Sequence, residues 1–373
     1  MTEPRLRIDV LGPVRVRVDD TELPLGGPRP RAVFARLAIQ PNRVVSTETL
    51  AMGTWNNDPP SDARANLQVF VHNLRKSLRS AGLDARSVLA TAAPGYRLVI
   101  PDDASDLGRF NAHKRRGLAC SADHRFAEAA AEFSAALAEF SGPVLDDLRG
   151  LEFAELFATA LQEEHLTVLT CRAEAEIASG RAATVVPDLM AAAAQHPLRE
   201  PLWMQLITAL YLNGQQADAL AACRRVRESL ADELGVDPGK ELQDLEQRIL
   251  RQEPLTVAES GWATAARAMT IIDERATRRA AVLRDDLTGQ AYRLGPGTSI
   301  GRLPDNDIVL AHPKVSRHHA VIVDTGRGFV IRDLASSNGV FVRDERVVDH
   351  AEIVDGDSIR IGATALTLVV ESD

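Results

Sequence analysis

The apolar residues of this chain change their spacing twice, and each change demands a different kind of fold. Up to Pro101, short alternating runs and helical runs are mixed. From about Asp106 to Gln252 the apolar positions recur every three or four residues in segments dominated by Ala, Leu and Glu, the spacing that puts them on one face of a helix. From Ala281 onward the runs are short and alternate, broken by Gly, Asn, Asp and Pro, as the strands and turns of a β-sandwich require. No single layered core accommodates all three patterns, and 373 residues exceed one ordinary domain. The chain is therefore expected to be multidomain α+β. The expected boundaries are a mixed head over 1–101, an all-α region over 102–253, a linker rich in Ala, Thr and Arg over 254–280, and an all-β module over 281–373.

Within the head, Leu6 to Leu11 and Val14 to Val18 read as strands with a turn at Asp19-Asp20, and Glu22 to Leu25 resumes the sheet. Pro30 marks a helix start, Ser46 caps a second helix, and Ser61 caps a third that ends near Ser80. Val88 to Thr91 and Tyr96 to Ile100 flank a hairpin turn. In the third helix Leu67, Val71, Leu74 and Leu78 form one stripe, which leaves His72, Asn73, Arg75, Lys76 and Arg79 on the other side. Such a face suits DNA: cations meet phosphates, while Asn73 can read a base edge, adenine being its usual partner. The net charge of −9 does not oppose this, because it is uneven. The head holds fourteen Arg and Lys against nine Asp and Glu, so it stands at +5 and the rest of the chain at −14.

In the helical region Gly180 and Gly214 lie thirty-four residues apart, each followed by a similar helix start, which is the tetratricopeptide period. His124 to Ala129 looks like an earlier start of the same kind, displaced by an insertion carrying Gly142 to Asp147. Cys120, Cys171 and Cys223 are dispersed and have no CxxC or histidine cluster beside them, so they read as small core residues rather than disulfide or zinc ligands. No run approaches a membrane span and the N-terminus is unlike a signal peptide, which points to the cytoplasm and no membrane insertion.

The C-terminal module carries three polar blocks: Gly301-Arg302 ending a strand, Ser316-Arg317-His318-His319 starting another, and Ser336-Ser337-Asn338-Gly339 in a loop beyond Asp333. A guanidinium held in a loop, with hydroxyl and amide donors around it, is suited to a phosphate dianion. Each block alone is an ordinary turn; their order and spacing together carry the signal. Adjacent His318 and His319 make a poor chelate, since neighbours on a strand point to opposite faces, so one is expected to pack and the other to be exposed. The segment Gly295 to Gly301 lacks the Gly-Lys-Ser/Thr ending of a nucleotide loop, and no hydrolase, kinase or metalloprotease signature occurs, so neither an enzyme nor a cofactor or metal site is expected.

These blocks, with Gly356-Asp357 before a last strand, resemble the forkhead-associated family along nearly the whole module. The resemblance implies phosphothreonine binding. Arg302 and Ser316 match the phosphate positions, Arg317 and Ser337 supporting donors, and Asn338 the residue that bonds the peptide backbone. Gly301, His319 and Gly339 match positions that shape the loops. The head, ending Pro94-Gly95-Tyr96-Arg97-Leu98, resembles the OmpR-type winged helix, whose third helix enters the major groove, although the hairpin tip Thr91 to Pro94 has no Arg or Lys. The helical region, through Gly142 to Leu148 and Glu233 to Gly239, looks like the bacterial transcriptional activator domain. Together the parts resemble the Streptomyces antibiotic regulatory proteins, narrowed by the C-terminal module to EmbR-type mycobacterial regulators. That resemblance implies promoter DNA, a phosphorylated Ser/Thr kinase and RNA polymerase as partners, with cell-wall arabinosyltransferase genes activated in a two-component-like manner. A phospho-dependent scaffold without sequence-specific DNA binding is the alternative.

Overall fold

The structure, a computed structural model, describes residues 4–370 except 20, 256–280, 295–296, 304–305, 325–328, 335 and 348–349. The expected linker therefore lies, from 256 on, outside the described residues. The chain forms two compact units, the first running through the helical region and the second comprising the β-rich module.

In the first unit, β1 (Leu6–Asp9) pairs antiparallel with β2 (Arg15–Val18), and β2 with the two-residue β3 (Thr21–Glu22). The strands are shorter than the apolar run suggests, for a physical reason. The N–H groups of Val10 and Leu11 donate not to a neighbouring strand but to the carboxylate of Asp106, both at 2.7 Å. Helix α1 (Pro28–Ala38) starts two residues before Pro30, with Pro28 taking the proline-tolerant first position. A strand not expected from the pattern, β4 (Val44–Ser46), precedes α2 (Thr47–Thr54), whose cap is Ser46 as expected: its Oγ accepts from Thr49 N–H at 3.0 Å. Helix α3 (Ala63–Ser80) begins after Asp62 rather than at a Ser61 cap, and the one-turn α4 (Ala85–Val88) follows, capped by Asp84. Strands β5 (Leu89–Ala92) and β6 (Gly95–Leu98) form the expected hairpin, widened by β4 into a sheet of order β4-β6-β5. Gly95 is required there, since a Cβ would meet the Val45 carbonyl oxygen at 2.0 Å.

The helical region comprises α5 (Asp106–Ala122), α6 (Phe126–Leu137), α7 (Glu152–Ala178), α8 (Val186–Gln195), α9 (Glu200–Leu212), α10 (Gln216–Leu234) and α11 (Lys240–Leu250). The repeat read from Gly180 and Gly214 is a repeat of helix ends. Both glycines have positive φ, +73° and +75°, and the N–H of the residue after the glycine returns to a carbonyl inside the helix's last turn: Arg181 to Glu176 at 2.8 Å, Gln215 to Leu210 at 2.9 Å. After α5 the same turn recurs with His124 at φ 59° and Arg125 N–H on Cys120 O at 2.8 Å, so a histidine occupies the glycine position. The three cysteines are buried, as expected of core residues.

The insertion between α6 and α7 packs on the head. Ser141 N–H donates to Leu11 O (3.0 Å), Leu145 N–H to Gly12 O (2.9 Å), and Asp147 accepts from Val14 N–H (3.0 Å) and pairs with Arg31 (2.9 Å). Leu145 and Leu148 are buried in the same core as Ile8, Val16, Phe34, Leu67 and Leu74. A second core, including Trp203, Leu206 and Val226, lies among α7 to α11. Among the described residues no helix is long and apolar enough to cross a membrane.

The second unit is a two-sheet sandwich of β7 (Ala281–Asp285), β8 (Ala291–Arg293), β9 (Gly297–Gly301), β10 (Ile308–Val309), β11 (Ala320–Asp324), β12 (Phe329–Asp333), β13 (Val340–Val342), β14 (Glu345–Arg346), β15 (His350–Ile353), β16 (Ser358–Ile361) and β17 (Thr364–Val370). The sheet orders are β10-β9-β11-β12-β15 and β14-β13-β16-β17-β7-β8. Alternate residues from both sheets, among them Ile300, Ile322, Ile331, Ile359, Ile361 and Leu366, close one core. Gly356-Asp357 precedes two further strands rather than one.

Candidate functional site

Register gathers the three polar blocks. Ala320 at the start of β11 lies opposite Ile300 near the end of β9 and opposite Asp333 at the end of β12. The segments that follow β9, precede β11 and follow β12 therefore leave the sheet at the same end. They enclose a cleft of about 510 Å³ lined by all five expected residues, Arg302, Ser316, Arg317, Ser337 and Asn338, with Lys314 and His318 beside them. Among the described residues three cations and no carboxylate line it, so the cleft favours an anion. Arg302, Arg317, Ser337 and Asn338 are exposed, and Ser316 is half-buried.

The block around Ser316 differs from expectation in one respect: it is a bend that ends before β11, not the strand itself. His319 is fully buried and His318 half-buried, so one histidine packs, although not by strand alternation. The His319 ring joins two blocks. Its Nδ1 accepts the Ser316 N–H at 2.9 Å, so Nε2 carries the proton and donates to Gly339 O at 3.1 Å. Ser316 Oγ in turn accepts the Ser337 N–H at 3.1 Å, and Asn338 Nδ2 donates to Lys314 O at 2.8 Å. Ser336 closes its own turn, receiving the Gly339 N–H on Oγ at 3.0 Å and donating its N–H to Asp333 at 3.1 Å.

The first block is joined by residues that the sequence did not single out. Arg302 N–H donates to Ser316 O at 2.9 Å. Asn306, almost wholly buried, donates from Nδ2 to Leu303 O (3.0 Å) and Arg317 O (2.9 Å), so one amide fixes both arginine-bearing loops. In the sequence it sits within Pro304-Asp305-Asn306-Asp307, which reads as a simple turn. Gly301 allows this approach: a Cβ there would meet Arg317 O at 2.1 Å. Lys314 was equally invisible, being one lysine among polar loop residues.

In the head, the exposed side of α3 presents His72, Asn73, Lys76 and Arg79 to solvent. Arg75 is placed otherwise than expected. It is half-buried, its guanidinium donates twice to Leu89 O (2.9 and 2.6 Å) and once to Thr91 Oγ1 (2.9 Å), and it lies 5.9 Å from the Tyr96 ring. Burial lowers its pKa, partly countered by Tyr96. Arg75 thus braces α3 against the hairpin instead of standing open to a phosphate. The reason is helical geometry: Arg75 sits next to the buried stripe, on the side where β5 arrives. Sequence reading also passed over Arg64, Gln68 and Val69, all exposed on α3.

Family models match three successive stretches of the chain. Residues 21–98 match the model of the transcriptional regulatory protein C terminal, residues 105–250 the bacterial transcriptional activator domain, and residues 298–362 the FHA domain. The transcriptional regulatory protein EmbR of Mycobacterium tuberculosis is 52% identical over 364 residues, covering 96% of this chain and 94% of that protein. MoaR1 of the same organism is 43% identical over 67% of this chain and 81% of its own length. The regulatory protein DnrI of Streptomyces peucetius is 32% identical over 67% of this chain and 93% of its own. A solved structure of M. tuberculosis EmbR in complex with a low affinity phosphopeptide is 51% identical, superposes with a TM-score of 0.76, and covers 100% of this chain and 99% of that one.

Proposed function

The chain belongs to the EmbR-type transcriptional regulators, the Streptomyces antibiotic regulatory protein family extended by a forkhead-associated domain, and we propose that it converts phosphorylation by a Ser/Thr kinase into a change at promoter DNA. The observation that carries this reading is the cation-lined cleft of the second unit, whose loops are joined by the hydrogen bonds of His319 and Asn306. In this reading Arg302 supplies the planar charged fork for the phosphate, Ser316, Arg317 and Ser337 add donors, and Asn338 aligns the peptide backbone on either side of a phosphothreonine. One hydrogen of the Asn338 amide is used on Lys314 O, which leaves the other hydrogen and the amide oxygen to meet a peptide.

The phosphorylated partner is then the kinase itself. The head meets promoter DNA through His72, Asn73, Lys76 and Arg79 of α3, with Arg75 as their brace. The chain works in the cytoplasm with RNA polymerase, and its targets are cell-wall arabinosyltransferase genes. The solved EmbR–phosphopeptide complex supports the peptide half of this proposal, and the family's regulatory proteins support the DNA half. Titration calorimetry with a phosphothreonine peptide and its unphosphorylated twin tests the first half: the phosphorylated peptide alone is expected to bind, and equal affinity for both overturns it. Competition with non-specific DNA at moderate salt tests the second, because an operator complex survives it and a scaffold protein forms none.

A further inference from the structure

Helix α3 spans eighteen residues without one Asp or Glu, and its outward side is polar except at Ala65 and Val69. Val69 is 55% exposed, the largest apolar side chain open to solvent on that helix. At about 100° per residue it stands roughly 200° round the helix from buried Leu67, at the middle of the outward face. Ala65 lies one turn before it and His72, Asn73 and Lys76 lie around and beyond it, all exposed. Its neighbours Leu67, Val71 and Leu74 are buried, so Val69 is not a stray edge of the core.

We propose that Val69 is a specificity-determining residue that packs on the C5-methyl group of thymine in the major groove, with Ala65 leaving room for the base beside it. This rests on the reading of α3 as the DNA-facing helix. In the major groove thymine alone among the four bases offers an apolar methyl group, and an aliphatic side chain is its natural contact. The surrounding charge is complementary to the backbone on either side, since the helix carries Arg64, Lys76 and Arg79 and no opposing carboxylate. Val is also suited to the task by stiffness: in a helix its branched Cβ holds one main rotamer, so little side-chain freedom is lost on contact. Asn73, one turn on, reads a neighbouring base edge by hydrogen bonds, so α3 discriminates by shape at one position and by hydrogen bonding at another.

The test uses the full chain and selection from random duplex DNA to define a bound site. Each thymine of that site is then replaced by deoxyuridine, which removes the methyl and leaves base pairing intact. At one or two positions the wild-type protein is expected to lose about fourfold in affinity, the worth of one buried methyl. Val69→Ala is expected to bind the thymine site that much more weakly and to be indifferent to deoxyuridine at the same positions. As Val69 is exposed and Ala is the better helix former, this variant keeps its fold. Wild-type indifference to every deoxyuridine, or full sensitivity retained by Val69→Ala, overturns the assignment of Val69 while leaving α3 as the reader. Failure to enrich any sequence overturns the DNA reading itself, and this inference with it.

Discussion

The residues proposed to contact a ligand and the residues that hold them in place differ in how visible they are. Arg302, Ser316 and Asn338 are legible because a recurrent chemistry fixes their type and spacing. Asn306 and the bracing role of Arg75 are not, because they depend on partners that only the fold brings near: Arg317 O for one, Leu89 O and Thr91 for the other. Arg302→Ala is expected to abolish phosphopeptide binding, and Arg302→Lys to remain poor because a point charge lacks the planar fork; calorimetry reads both. Asn338→Ala should cost about 1 to 3 kcal/mol of the same binding as peptide groups go unpaired. Asn306→Ala, which touches no ligand in the proposed mode, should weaken peptide binding through disordered arginine loops. Its signature is loss of affinity together with lower thermal stability of the β-rich unit, whereas Arg302→Ala leaves that stability unchanged.

At the scale of elements, helices and hairpins follow from period and capping, while their limits depend on what packs against them. Ser46 is a readable cap because its bond is local; the early end of β1 is not readable, because Asp106 is almost a hundred residues away. The helix start after His124 is legible as one of the same series, displaced by the insertion, and its turn keeps the left-handed backbone with a histidine in the glycine position. A left-handed conformation costs a non-glycine residue about 1 to 2 kcal/mol. His124→Gly is therefore expected to stabilise the first unit by roughly 1 kcal/mol, seen as a rise of about 2 to 4 °C in its melting temperature. In α3, replacing Lys76 with Ala should lower the salt dependence of DNA binding, since a phosphate contact is lost. Arg75→Ala should instead loosen the hairpin, which protection of the β5 and β6 amides from hydrogen exchange reports.

For the whole molecule, the expected seam at residue 101 crosses a shared core, since Leu145 and Leu148 pack among the head's apolar residues. Periodicity marks where helical spacing begins but carries no information about which surfaces meet. The β-rich unit closes its own core, so a fragment from Ala281 should fold alone and bind phosphopeptide like the intact chain, whereas residues 1–101 alone should be unstable to urea. The contact of Asp106 with the head also sets a pH dependence. Burial pushes the Asp106 carboxyl up to about 7, partly offset by the N–H groups of Leu11, Val10 and Leu107 that favour its ionised form. Its ordinary value is about 4, so the native state holds the proton more tightly than the unfolded chain. This group's contribution to stability is thus fully present below pH of about 4 and declines as pH rises toward 7. Urea midpoints should show that decline, and Asp106→Asn should flatten it.

The carboxylates of Asp106 and Asp147 reach the head from a part of the chain that carries a different structural pattern. A recombination event that exchanged the DNA-reading segment at residue 101 would import a head whose Val10, Leu11 and Val14 amides faced whatever the recipient happened to supply. Viable shuffling of operator preference among such regulators should therefore place its crossover beyond Phe157, so that the reader travels with its own anchors and inheritance respects a boundary that composition does not mark.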